Sequence, residues 1–331
     1  MPERERPYVS VVVPLYDEVE NLAELHKELV TSLEAMGRPF ELVLVDDGSR
    51  DGTRERLLAL SAVDARVQAV LLRRNFGQTA AFSAGFDHAR GDVVVTSDGD
   101  LQNDPADIPR LVAKLEAEDL DMVCGWRQDR QDPASKRVPS FFANRLISWA
   151  TGVRLHDYGC SLKAMRSDVA RGLRLYGEMH RFIPAVASWM GVRLAEVPVN
   201  HRPRVRGRSK YGLGRTVRVV LDLFTVKFLL SYGTRPAHFF GPLGLGFGFL
   251  GFAILGYLSW LKLVAGEAIG GRPLLLLGAL LFLFGVLLVN FGLIGELLVR
   301  IYHESQGKPI YVALERRPAA DREGEPALRG R

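Results

Sequence analysis

Thr96-Ser97-Asp98-Gly99-Asp100-Leu101-Gln102 follows the apolar run Val93-Val94-Val95, and its two carboxylates sit two residues apart where a buried strand should run out into a loop. In an extended chain the side chains of residues i and i+2 share a face, so Asp98 and Asp100 can converge on one hard cation. Magnesium or manganese held by one or two carboxylates keeps coordination positions open for substrate phosphates. The spacing therefore suggests a metal–diphosphate site. The structural alternative is a turn or N-cap pair ahead of a helix opening at Pro105.

The elements that must position this pair can be read from periodicity. Runs at Tyr8–Pro14, Phe40–Val45, Val67–Leu72, Val93–Ser97 and Met122–Gly125 read as strands. Helical patterns cover Glu20–Met36, a stretch opening near Thr53, Gln78–Ala89 and Ile108–Glu118. Strands alternating with helices predict an α/β fold, a mostly parallel sheet with helices on both faces. Ligands of such sheets bind beyond the carboxyl ends of the strands. Pro14, the second acidic pair Asp46-Asp47, and Asp98-Gly99-Asp100 all fall at those ends, so three polar motifs share one rim.

The chain has 331 residues and is 47% hydrophobic, unevenly distributed. An apolar block at Phe239–Val264 has Lys262 as its only charge, and a second at Pro273–Val299 contains Asn290 and Glu296. About 26 residues of helix reach about 39 Å, enough for a hydrocarbon core of about 30 Å. The short loop Gly266–Arg272 then predicts a transmembrane hairpin, a buried soluble helix pair being the alternative. Arg235, Arg300 and Lys308 flank one side and Arg272 the other, which puts the sheet domain in the cytoplasm of a multi-pass inner-membrane protein. Glu296, near the end of the second span, is either a functional polar residue or the partner of Arg300 one turn on at the interface. Leu213–Tyr232 mixes apolar and basic residues as an interfacial amphipathic helix does, and Pro139–Thr151 is either another such helix or a core helix.

The expected organisation is a catalytic domain over 1–210, a juxtamembrane helix over 211–235, two spans over 236–303 and a tail over 304–331, disordered at its end. The net charge of +5 is concentrated in Arg193–Arg218. Next to apolar blocks, that suits an anionic membrane surface or a lipid phosphate better than a nucleic acid groove. Cys124 and Cys160 are the only cysteines, so no disulfide framework is implied, and the first residues lack the apolar core of a signal peptide. The Gly-rich first span also leaves homo-oligomerisation open.

Pro14-Leu-Tyr-Asp-Glu18, Asp46-Asp-Gly-Ser-Arg-Asp-Gly-Thr53, Asn75-Phe-Gly77 and Ser97-Asp-Gly-Asp-Leu-Gln102 together resemble the motif series of family-2 glycosyltransferases with the GT-A (Rossmann-like) fold. His180-Arg-Phe-Ile-Pro184 and Arg204-Val-Arg-Gly-Arg-Ser-Lys-Tyr211, followed by two spans, resemble the polyprenyl-phosphate sugar transferases, the group of dolichyl-phosphate mannose synthase and undecaprenyl-phosphate aminoarabinose transferases. The resemblance implies a metal-dependent transfer from a nucleoside-diphosphate sugar to a polyprenyl (undecaprenyl or dolichyl) phosphate at the cytoplasmic membrane face, for use in the cell envelope.

It also implies residue roles. Asp98, Asp100 and Gln102 would hold Mg²⁺ or Mn²⁺. Pro14, Tyr16, Glu18, Asp46 and Asp47 would line the nucleotide pocket, although an Asp-Asp-Gly-Ser sequence also builds Asx turns and N-caps. An anionic acceptor next to an anionic leaving group calls for cations, and on that ground Arg127, Lys136 and Arg137, with Ser140, are assigned mainly to the lipid phosphate and Arg204, Arg208 and Lys210 mainly to the donor diphosphate. Asp157 matches the family's candidate general base. Physics weakens that role, because a phosphate monoester with a second pKa of about 6 is already mostly dianionic at neutral pH. His180 and Arg181 are weaker site candidates.

Attack by a phosphate oxygen on the anomeric carbon would invert it. A glycolipid synthase with a lipid hydroxyl acceptor, or a scaffold that binds sugar nucleotides without turnover, are the competing readings. Two spans are too few for the export channel of a processive polysaccharide synthase.

Overall fold

The computed structural model describes residues 6–128, 147–148, 152–173, 175, 177, 179–203, 228, 231–232 and 235–306. The expected interfacial helix at Leu213–Tyr232 and the helix at Pro139–Thr151 fall almost wholly outside these residues. The chain divides into two units, Met1–Gly233 and Thr234–Arg331.

The first unit is built on a seven-stranded sheet in the order β3-β2-β1-β4-β6-β5-β7. Its strands are β1 (Val9–Leu15), β2 (Phe40–Asp46), β3 (Val67–Leu71), β4 (Val93–Thr96), β5 (Met122–Trp126), β6 (Lys163–Arg166) and β7 (Leu194–Pro198). The central strands are nearly continuous apolar runs, as strands covered on both faces must be. Alternation divides them between two cores. Val12, Val43 and Val45 pack with Phe82, Phe86 and Phe182 on one face. Val11, Val13, Leu42 and Leu44 pack with Leu25, Leu29, Leu111 and Leu115 on the other.

The helices follow the same logic. Helix α1 (Leu22–Glu34) buries Leu22, Leu25, Leu29 and Leu33, a stripe at helical spacing. After α2 (Thr53–Val63) and α3 (Gln78–His88), α4 (Ile108–Ala117) buries Ile108, Leu111, Val112 and Leu115. Helices α5 (Ser167–Gly172) and α6 (Ile183–Trp189), with a 3-10 turn at Met179–Phe182, follow among the described residues of this unit.

Two strands go beyond those read from periodicity, and one changes the topology. β6 runs antiparallel between β4 and β5, pairing Lys163 with Thr96 on one side and with Cys124 on the other. The sheet is therefore mixed. Lys163-Ala-Met-Arg166 escaped notice because four residues with a charge at each end carry no alternation. Edge strand β7 has only a half-buried pattern.

The second unit holds α7 (Ala237–Leu263) and α8 (Pro273–Gln306). Both are long and apolar enough to cross a membrane, with mean hydropathies of 1.8 and 2.7 over their most apolar stretches, of which only 11% is buried. That exposure argues against a soluble core pair, which would hide the same surface. The helices touch backbone to backbone: a Cβ on Gly285 would lie 2.4 Å from the Gly248 nitrogen, and one on Gly251 2.4 Å from the Phe282 nitrogen. Close approach through glycine is how apolar helices associate where no hydrophobic drive separates protein from lipid. Gly285→Leu is therefore expected to force the pair apart at a cost of about 1–3 kcal/mol, read as a lower unfolding midpoint in detergent. The Glu296 carboxylate accepts the Ala237 amide at the start of α7, at 3.4 Å.

Candidate active site

The rim at the carboxyl ends of β1, β2 and β4 is knitted together by the motifs themselves. Asp47, buried at the end of β2, accepts the backbone N–H groups of Phe76 and Gly77 at 2.7 and 2.9 Å. Burial pushes its carboxyl upward against those two donors. Gly48 has φ +74°, and a Cβ there would sit 2.4 Å from the Arg74 carbonyl carbon. Only glycine lets the β2 loop lie on the segment leading into α3. The β1 loop is tied to the same region: Asp17 N–H donates to Ser49 Oγ at 2.9 Å and Glu18 N–H to Thr53 Oγ1 at 2.9 Å. Pro14, Tyr16 and Glu18 are half-buried along this wall.

Asp46 is fully buried and serves the protein. It accepts the Ser49 N–H at 3.1 Å, and Arg54 Nε and the second Arg54 nitrogen reach it at 2.8 and 2.7 Å. This is the Asx-turn role left open by its sequence, reinforced by an ion pair.

At the end of β4, Asp98 Oδ1 accepts Gln78 Nε2 at 2.7 Å. Burial and then the Asp100 charge push the Asp98 carboxyl upward, opposed by a hydrogen bond from Ser161 and by the charges of Lys163 and Arg127. Ser161 is itself fixed by Asn103, whose Nδ2 donates to Ser161 Oγ at 2.7 Å. Asp100 accepts the Gln102 N–H at 3.2 Å, and Gln102 presents its carbonyl to Arg202 N–H at 2.9 Å. Leu101, between them, has φ +63° and is 8% exposed. A left-handed leucine is strained, and its burial in the α1-side core holds the turn in that shape.

A divalent cation fits this donor set. The half-buried Asp98 and Asp100 repel each other, and a divalent cation between them would relieve that repulsion. Among the described residues no group of three His, Cys, Asp or Glu could hold a metal, so the protein would supply a pair of carboxylates and leave positions open.

Next to the pair lies a second charged unit. Asp157, 1% exposed, accepts Arg127 Nε at 2.7 Å and the second guanidinium nitrogen at 3.0 Å on its two oxygens. The Gly159 N–H adds a third bond at 3.0 Å. Glu196 of β7 holds the loop by accepting the His156 and Asp157 amides at 3.0 and 3.2 Å. The hydrogen bond from Arg127 to Asp157 raises the guanidinium's pKa against the effect of burial.

Lys163, 2% exposed, donates from Nζ to the Cys160 carbonyl. It acts electrostatically on both Asp98 and His180. The His180 imidazole is pushed down to about 3 by burial, then by Arg181 and Lys163, and pairs through Nδ1 with Thr79 Oγ1 at 2.8 Å. It is neutral at physiological pH. Burial pushes the Cys124 and Cys160 thiols up to about 12 and about 11, so neither is a nucleophile.

The structure thus brings Asp98, Asp100, Asp157 and Arg127 into one electrostatic neighbourhood, with Asp47 tied to the turn that carries Gln78. Lys136, Arg137, Ser140, Arg204, Arg208 and Lys210 lie outside the described residues. Sequence reasoning missed Ser161, Lys163 and Gln78. The first two had a signal: a Ser and a Lys two apart after Cys160 share a face of any extended segment.

Residues 10–174 match the profile of Glycosyl transferase family 2. The chain is also 44% identical over 310 residues to a dodecaprenyl-phosphate galacturonate synthase of Rhizobium johnstonii, covering 92% of this chain and 91% of the relative. The chain belongs to glycosyl transferase family 2. An undecaprenyl-phosphate 4-deoxy-4-formamido-L-arabinose transferase of Pseudomonas aeruginosa is 41% identical, with 92% and 90% of the two chains covered. Among solved structures, glucosyl-3-phosphoglycerate synthase from Mycobacterium tuberculosis with Mn²⁺, uridine diphosphate and phosphoglyceric acid superposes with a TM-score of 0.52 at 19% identity, over 68% of this chain and 78% of that one. At that identity the likeness establishes the shared fold, the GT-A-like sheet expected from the motifs.

Proposed function

We propose that this family-2 glycosyltransferase moves a sugar from a nucleoside-diphosphate sugar to a polyprenyl phosphate on the cytoplasmic side of a membrane, with inversion, giving a lipid-monophosphate sugar. One observation carries the reading. The likeness to the dodecaprenyl-phosphate galacturonate synthase spans 92% of the chain, far past residue 174 where the family profile ends. The two apolar helices, by length and composition, suit a lipid acceptor, and the arginine flanking of these blocks favours a cytoplasmic site.

Mg²⁺ or Mn²⁺ bound to Asp98 and Asp100, with Gln102 nearby, would supply Lewis-acid neutralisation of the departing diphosphate. The chain's own residues do the rest. Asp47 fixes the turn leading into α3, and Asp46 with Arg54 fixes the β2 loop, forming the nucleotide wall with Pro14, Tyr16 and Glu18. Arg127 presents a planar fork suited to a phosphate acceptor, and Asp157 orients that fork. With the Arg127 guanidinium and the Arg127 and Gly159 amides on the two oxygens of Asp157, that carboxylate is not poised as a base for a lipid hydroxyl, which favours a phosphate that attacks already ionised. Lys136, Arg137 and Ser140 would complete the acceptor site, and Arg204 and Lys210 the donor diphosphate site.

Three carboxylates face two buried cations here, so removing Lys163 weakens anion binding. Lys163→Met is expected to raise the KM for the nucleotide sugar about tenfold, the size of a charge interaction across a partly shielded site, and to lower the unfolding midpoint without ligand, because Asp98 loses a nearby positive charge and the Cys160 carbonyl its donor.

The function is tested by offering purified protein a panel of uridine- and guanosine-diphosphate sugars, galacturonic acid and 4-deoxy-4-formamido-L-arabinose included, with undecaprenyl phosphate, and weighing the lipid product. A sugar joined through one phosphate supports the proposal. Turnover only with a hydroxyl-terminated lipid, or none with any donor, removes it.

A further inference from the structure

The proposed chemistry uses Asp98 without explaining what aims it. Its Oδ1 accepts Gln78 Nε2 at 2.7 Å. A carboxylate only accepts, so the chemistry fixes which end of the amide faces it. A second donor, Ser161, reaches Asp98 from just before β6. The two holders come from different elements, so the carboxylate cannot turn without breaking one of them. Each carboxylate oxygen carries two lone-pair sites, which leaves room for a cation beside both donors.

Gln78 in turn stands on an anchored segment. The two residues before it donate their N–H groups to Asp47. The residue after it, Thr79, is 5% exposed and shares a hydrogen bond of 2.8 Å with His180 Nδ1. Because that imidazole is held neutral by burial, the contact does not switch with pH across the physiological range. The first turn of α3 is therefore pinned to the end of β2 and to the turn at Met179–Phe182, and its amide is delivered to the end of β4.

We propose that Gln78 is a positioning residue that fixes the Asp98 carboxylate for a divalent cation, and that the Thr79–His180 bond braces the turn from which it reaches. This rests on the assignment of Asp98 and Asp100 as metal ligands. Partners of metal ligands typically set affinity by 10–100-fold.

The test is Mn²⁺ binding, read as loss of the free-ion electron paramagnetic resonance signal, on the full chain in detergent with uridine diphosphate present. Gln78→Met keeps the length and removes the donor; Gln78→Asn keeps the amide and shortens its reach. Both are expected to bind Mn²⁺ about tenfold more weakly, and Thr79→Val more weakly by a smaller factor. Unfolding midpoints in chelator should match the wild type, a pattern that a merely structural role would not give. Wild-type Mn²⁺ affinity in either folded Gln78 variant overturns the proposal, as does a loss of affinity matched by a fall in the metal-free midpoint. Wild-type affinity in Thr79→Val removes the brace. A wild-type chain that binds no Mn²⁺, or an Asp100→Ala chain that binds it normally, overturns the metal assignment itself.

Discussion

Asp100→Ala is expected to lower transfer by about 10²–10³-fold, the usual cost of losing one group that stabilises charge developing in a transition state, while the protein stays folded. Asp100 makes the cleaner test of the acidic pair. Asp98 is held by Gln78 and Ser161, so its removal orphans two partners as well as a ligand. Asp100 holds the Gln102 N–H at 3.2 Å but also pushes its neighbour's carboxyl upward, so deleting it trades that weak bond for relief of repulsion in the ligand-free protein. Catalysis should collapse while the unfolding midpoint in chelator holds or rises. Chelation of the wild type should reproduce the loss, and Mg²⁺ or Mn²⁺ should restore it to the wild type and not to the variant. Transfer by Asp100→Ala at a rate near wild type, or transfer by the wild type in excess EDTA, would take the metal out of the mechanism.

That pair was legible because strand periodicity is short-range: an apolar run followed by two acids at i and i+2 says where the carboxylates emerge and that they share a side. The same reasoning located Asp46 and Asp47 but could not separate their tasks. Arg54, the second residue of α2, captures Asp46, whereas backbone amides about thirty residues away occupy Asp47. Those partners belong to tertiary structure. The β1, β2 and β4 ends were placed to within a residue or two, since strands buried on both faces are nearly pure apolar runs.

β6 was invisible for the opposite reason. Its four residues gain their identity from the strands on either side, and nothing local distinguishes them from a loop. The i, i+2 spacing of Ser161 and Lys163 put them on one face of an extended segment, but with β6 unread nothing placed that face beside β4. Glu296 shows the same limit: helical spacing says nothing of the Ala237 amide at the start of the other span, which its carboxylate accepts.

The largest stability effect is expected at the Arg127–Asp157 pair. Asp157→Asn leaves the guanidinium, whose side chain is 15% exposed, without a counter-charge. Breaking a buried pair from one side costs about 3 kcal/mol or more, on the order of a 10 °C fall in the unfolding midpoint for a domain of this size. Arg127→Met should cost a comparable amount by stranding the carboxylate, and Arg127→Met with Asp157→Leu should recover most of both losses, since an apolar pair needs no compensation. Activity should separate from stability in that double variant: the midpoint returns while transfer stays low, because the cation offered to the acceptor phosphate is gone. In Asp157→Asn the residual transfer per folded molecule should be no lower at pH 6 than the ionisation of a phosphate acceptor requires, and level at pH 8 where the acceptor is dianionic. A variant Asp157→Asn with a wild-type midpoint and no transfer at pH 8 would return this residue to the role of general base, because only a proton acceptor, and not a strut for Arg127, would be missing.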